Sequence, residues 1–233
     1  MIKTLSTYTK DFLHLFFPHN CEGCGSDIIQ EDHLLCLQCQ VKLPETNFLA
    51  VAANPIENIF YGRLSIHAAG SAYYFTKGSL IQQLVVELKY KNNHQVGLYL
   101  GKKLGFMLQQ TDRFETVDYI IPLPLNPKKQ QKRGYNQAEI ICNGISRVWN
   151  RPVVNDAVVR NLFTETQTQK NRINRWQNMQ EVFALHKTEQ LNNKHVMLVD
   201  DIITTGATLE ACGTELQKIP GIKLSIVTLA YTI

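Results

Sequence analysis

The stretch Val196-Met-Leu-Val-Asp-Asp-Ile-Ile-Thr-Thr-Gly-Ala-Thr208 decides the fold. Its four leading apolar residues, Val196 to Val199, form the short continuous run of a strand buried on both faces, as in parallel sheets. Two consecutive carboxylates follow, Asp200 and Asp201. Thr204, Thr205, Gly206, Ala207 and Thr208 then turn the chain into a helix predicted to run to Lys218. Threonine hydroxyls and the unpaired N–H groups of a helix start make a cradle for a phosphate. The acids beside it can accept hydrogen bonds from vicinal sugar hydroxyls or contact a hydrated Mg²⁺. A ribose 5-phosphate satisfies both. The bland alternative is a helix capped by Thr204 with solvated acids near its positive end. The buried strand and double acid together favour the ligand. The segment is neither a Walker loop nor a dinucleotide fingerprint, because GxxxxGK and GxGxxG are both missing.

Working outward, residues 68–75 (AAGSAYYF), 118–123 (DYIIPL), the valine pairs at 153–154 and 158–159, and 223–231 read as strands or extended pieces. Between them, apolar residues recur at helical spacing from Leu80, over 97–110 and over 137–149. Residues 41–64 carry Pro and Gly punctuation without periodicity and read as a connector. The alternation of strand and helix predicts an α/β domain with a mainly parallel sheet and helices on both faces. In such folds ligands sit beyond the carboxyl ends of strands. After DYIIPL comes PLNPKKQQKRGYNQ, residues 124–137, read as a basic loop bounded by Pro and Gly. Arg133 there can grip phosphate oxygens with a bidentate fork, while Lys128 and Lys129 are equally well explained as solvated charges. The polar stretch 161–180 lacks core periodicity and carries Lys170, Arg172 and Arg175.

The chain has 233 residues, 44% of them hydrophobic and only 19% charged, which excludes a disordered or fibrous protein. Its formal net charge of +4 permits an anionic ligand without requiring one. The apolar cluster from Phe12 to Phe17, broken by His14 and ended by Pro18, is too short for a signal core or membrane span. It is expected to form an amphipathic helix, and the protein is expected to be cytoplasmic. Disulfides are disfavoured there, so Cys21, Cys24, Cys36 and Cys39, as two CxxC pairs, read as a four-thiolate structural zinc site with no open position. His33 is an alternative ligand but reads better as a loop residue. Cys142 and Cys212 fall in apolar helices and read as packing residues.

The segment 196–208 resembles the phosphoribosyl pyrophosphate (PRPP) binding motif of type I phosphoribosyltransferases. With the CxxC pairs, LKY at 88–90 and KRGYNQ at 132–137, nearly the whole chain resembles the ComF family of competence-associated proteins. The resemblance implies a sheet of the type I phosphoribosyltransferase kind over 59–233, preceded by a small zinc-binding module and connector over 1–58. PRPP would lie on Asp200, Asp201, Thr204, Thr205, Gly206, Ala207 and Thr208, and its pyrophosphate, with Mg²⁺, against Arg133, Gly134, Asn136 and Gln137. A flap would bring Arg172 and Arg175, with Gln167 and Asn178 matching the same motif. Asp200 and Asp201 would stabilise the cationic sugar and Arg133 the leaving pyrophosphate, although turnover is left open. The implied role is DNA uptake, with single-stranded DNA and the uptake machinery as partners. A nucleobase transferase of salvage metabolism and a non-catalytic PRPP sensor are the alternatives. The chain's end at Ile233, two residues past Tyr231, weighs against free-base salvage in this reading.

Overall fold

The computed structural model describes residues 20–29, 33–161 and 182–233. It divides into two compact units, Met1–Leu43 and Pro44–Ile233. The amphipathic helix expected around Phe12–Phe17 lies outside the described residues. Among them, no helix is long and apolar enough to cross a membrane.

The larger unit is built on four parallel strands: β1 (Ala68–Phe75), β2 (Tyr119–Pro122), β5 (His195–Ile203) and β6 (Lys223–Thr232), in the order β1-β6-β5-β2. A separate antiparallel pair joins β3 (Val158–Arg160) to β4 (Phe183–Leu185). The longer helices are α3 (Leu80–Tyr90), α4 (His94–Gln109), α6 (Gln137–Trp149) and α7 (Ala207–Leu216). Ser79 caps α3 and Asn93 caps α4, each accepting a hydrogen bond from a first-turn N–H. Residues on β5 alternate between two buried faces, as the two-residue period requires. Val196 and Leu198 join Leu224 and Ile226 of β6 in one core with Leu209, Cys212 and Leu216 of α7. On the other face α6 packs against β5 and β2.

Two short helices replace segments expected to be irregular. The connector contains α2 (Pro55–Phe60), started by Pro55 and by Asn54, whose Oδ1 accepts from the Ile56 and Glu57 N–H groups. Asn54 is buried, and its Nδ2 donates to Val51 O and Ala69 O at 2.8 Å, tying residues 44–58 to β1. Those residues belong to the larger unit, whereas the sequence reading groups them with the zinc module. The basic loop is likewise a helix, α5 (Pro127–Arg133), capped by Asn126 and ended by Gly134 at φ +84°. Asn-Pro at its start and Gly past its end are helix signals, and seven residues leave too little periodicity to reveal it.

Helices α4 and α6 approach through glycines. A Cβ on Gly101 would stand 2.3 Å from Ile141 O, and one on Gly144 2.6 Å from Leu98 O. Both obstacles are backbone and cannot turn aside. We expect Gly101→Ala to lose about 1–3 kcal/mol by overpacking, against a helix-propensity gain below about 1 kcal/mol. Chemical denaturation should therefore show a net loss of stability.

Candidate functional site

β5 carries its pattern past the core to Asp200 and Asp201, which point to opposite faces because neighbours on a strand alternate. Asp201 is buried and meets Lys89 of α3, Nζ to Oδ2 at 2.8 Å. Asp200 lies toward α7 and β3, and its Oδ1 accepts from the Asp201 N–H at 2.8 Å. Burial and then the Asp201 charge push the Asp200 carboxyl well above the usual carboxylate range, against the Asp201 N–H, Lys89 and Arg160. An acid held this way binds its proton more strongly than a free carboxyl does.

The turn after β5 is held open from below and behind. Gly206 sits at φ +73° and caps α7 without a side chain, so no side chain occupies the N–H groups of the first turn. Thr204 is therefore not the cap. It and Thr205 are exposed, as is Thr208. Beneath the loop, a Cβ on Gly206 would lie 2.6 Å from Ile59 Cγ2, so α2 forms the floor of the cradle. Arg63 Nη1 donates to Ile59 O at 3.1 Å and Thr205 O at 3.3 Å, and its other nitrogen pairs with Glu210. Thr232 Oγ1 donates to Ile203 O at 2.8 Å.

A cavity of about 450 Å³ adjoins this site, lined by Lys89, Tyr90, Asn92, Lys129, Lys132, Arg133 and Tyr135. Among the described residues, four cations and no acid line it. The Arg133 guanidinium lies 5.4 Å from the Tyr90 ring centroid. Tyr135 donates its hydroxyl to Leu88 O and meets the His94 ring edge-on at 4.2 Å. Asn136 and Gln137 are buried: Asn136 accepts from Ala138 N at 3.1 Å and donates to Leu123 O at 3.0 Å, whereas Gln137 Nε2 has no partner among the described residues. Gly134 ends α5. Of the anticipated residues, Asp201 pairs with Lys89, which shares the cavity lining with Arg133, whereas Asp200 points to the opposite face. Arg172, Arg175, Gln167 and Asn178 lie outside the described residues. Lys89 and Arg63 escape the sequence reading as chemistry, Lys89 because it looks like an ordinary base in the last turn of a helix.

In the smaller unit, Cys21, Cys24, Cys36 and Cys39 place all four Sγ atoms within 4.8 Å of one another, and Cys24 and Cys36 are 3.7 Å apart. Sulfurs 2.3 Å from a tetrahedral zinc stand about 3.8 Å apart, so the set fits the ion. Gly25, at φ +72°, follows the first knuckle, and Cys21 Sγ accepts from the Gly23 and Cys36 N–H groups at 3.4 and 3.2 Å. His33 lies outside the cluster. Cys142 and Cys212 are buried, with thiols raised chiefly by burial, which suits packing and not nucleophilic chemistry. We expect about one zinc per chain by metal analysis and its loss in Cys36→Ser with unfolding of the small unit; metal-free, folded wild type would contradict this.

Residues 135–232 match the family described as "Phosphoribosyl transferase domain". The chain is 26% identical over 215 residues to "Competence protein F" of Haemophilus influenzae, covering 88% of this chain and 93% of that one. It is 28% identical over 132 residues to "DNA utilization protein YhgH" of Shigella flexneri, 55% of this chain and 57% of that one. With "Competence protein ComFC" of Bacillus subtilis it shares 29% over 90 residues, 39% of this chain and 34% of that protein. The match to YhgH thus spans a little over half of that protein, and the match to ComFC about a third. Joined to a parallel sheet that delivers two acids and a glycine-turned helix start, and to a four-cysteine cluster, these likenesses support the resemblance to the ComF family.

Proposed function

We propose that the protein binds PRPP at the carboxyl end of β5 and supports the uptake or use of DNA. The observation that carries the reading is the carboxylate pair at the end of β5, followed by a glycine-turned helix start whose N–H groups have no side-chain cap. A 5-phosphate on the Thr204–Thr208 turn puts a ribose beside Asp200 and Asp201. The cationic cavity beyond Lys89 then accepts the pyrophosphate, with Arg133 as its forked ligand. Mg²⁺ bound with PRPP would neutralise phosphate charge and polarise the leaving group. A carboxylate beside the ring would stabilise the cation that forms if the C1–O bond to pyrophosphate breaks. The names of the relatives, which refer to competence and DNA utilisation, support the biological assignment. Tyr90, 73% exposed beside Lys129, Lys132 and Arg133, offers a stacking surface among cations that suits single-stranded DNA.

The role predicts that Asp200→Asn with Asp201→Asn abolishes transformation in a cell carrying the variant at wild-type abundance. Normal transformation in such a strain would overturn the assignment. A panel of free bases that drives PRPP turnover would favour salvage instead.

The raised Asp200 carboxyl predicts a pH dependence. The folded protein holds a proton that the unfolded chain releases, so this contribution stabilises at low pH. It is lost as pH rises from about 4, the unperturbed value, through about 8. Without ligand, Asp200→Asn should therefore raise Tm over wild type at pH 8. The gain should vanish near pH 4. A constant difference across the range would refute the assignment.

A further inference from the structure

Lys89 is claimed by two sites at once. Its Nζ holds Asp201 Oδ2 at 2.8 Å, with the two side chains 20% and 11% exposed, and the same residue lines the cationic cavity. The remaining cations of that cavity, Lys129, Lys132 and Arg133, come from α5, and no acid among the lining residues offsets them. Lys89 therefore stands between a buried carboxylate and a place prepared for several negative charges. Lysine suits such an exchange of partners, because its ammonium is a point charge on a flexible stem with three rotatable donors.

We propose that Lys89 is a positioning residue that couples the two halves of the ligand. This rests on the PRPP reading above. Without polyphosphate, Lys89 neutralises Asp201 and weakens it as an acceptor for the sugar hydroxyls. Polyphosphate in the cavity draws the ammonium toward its oxygens and frees the Asp201 carboxylate for the ribose. Pyrophosphate and ribose 5-phosphate, which would otherwise repel each other, thereby assist one another's binding. Linkage makes the help reciprocal. Asp200, on the opposite face, keeps its place throughout.

The test is a calorimetric coupling cycle on the full-length protein with Mg²⁺: ribose 5-phosphate alone, pyrophosphate alone, and each with the other saturating. Wild type, Lys89→Met and Lys89→Arg are compared. The coupling factor, the ratio of ribose 5-phosphate affinities with and without pyrophosphate, should be at least about five-fold larger in wild type than in Lys89→Met, the lower end of usual coupling strengths. Lys89→Arg, which keeps a cation in place and guards against a folding defect in the methionine variant, should restore most of it. A purely structural lysine would alter affinities or stability without altering this ratio. A coupling factor equal within two-fold in wild type and Lys89→Met overturns the proposal, as does, where the methionine variant binds neither ligand, a wild-type coupling factor within two-fold of one. If wild type binds neither ligand, the PRPP reading itself fails, and the proposal falls with it.

Discussion

The rest of the structure answers to the point where β5 leaves the apolar core. A parallel strand buried on both faces ends in two adjacent acids, and strand geometry sends one to each side of the sheet. Each must find compensation in a different layer. Asp201 finds Lys89 at the end of α3. Asp200 has the Asp201 N–H and the field of Arg160 on β3, and its carboxyl still rises because burial outweighs both. Such a pair costs stability in the free protein.

The scaffold explains how this arrangement is kept. The close glycine contact of α4 with α6 fixes the layer on the Asp201 side. On the Asp200 side, α7 packs its Leu209, Cys212 and Leu216 against β5 and β6, so the helix start stays in line with the strand end. Gly206 permits the turn between them, and α2 supports it from beneath. The antiparallel β3 and β4 bring Asn161 and Val182 together, with Asn161 N donating to Val182 O at 2.9 Å. Arg160, which acts electrostatically on Asp200, sits at that junction, over the Phe183 ring.

What the sequence shows by itself follows the reach of each interaction. The CxxC pairs, the run Val196–Val199 with its acids, and the helices of apolar period are local patterns, and the structure places them as their spacing implies. Helices α2 and α5 were harder because six and seven residues are too few for an apolar stripe, although Asn-Pro opens both. Thr204 resembles a cap because hydroxyl residues favour that position, yet Gly206 holds it, at φ +73° and where a Cβ would stand 2.6 Å from Ile59 Cγ2. Arg63 on Thr205, 142 residues apart, and Lys89 on Asp201 are products of the fold with no local signature.

Titration of PRPP into the wild-type protein with Mg²⁺, followed by calorimetry, bears most directly on the central claim. One equivalent should bind saturably, and ribose 5-phosphate should compete for the same site. Absence of heat and of protection from thermal unfolding at millimolar PRPP, in a protein shown to be folded and zinc-loaded, would contradict it.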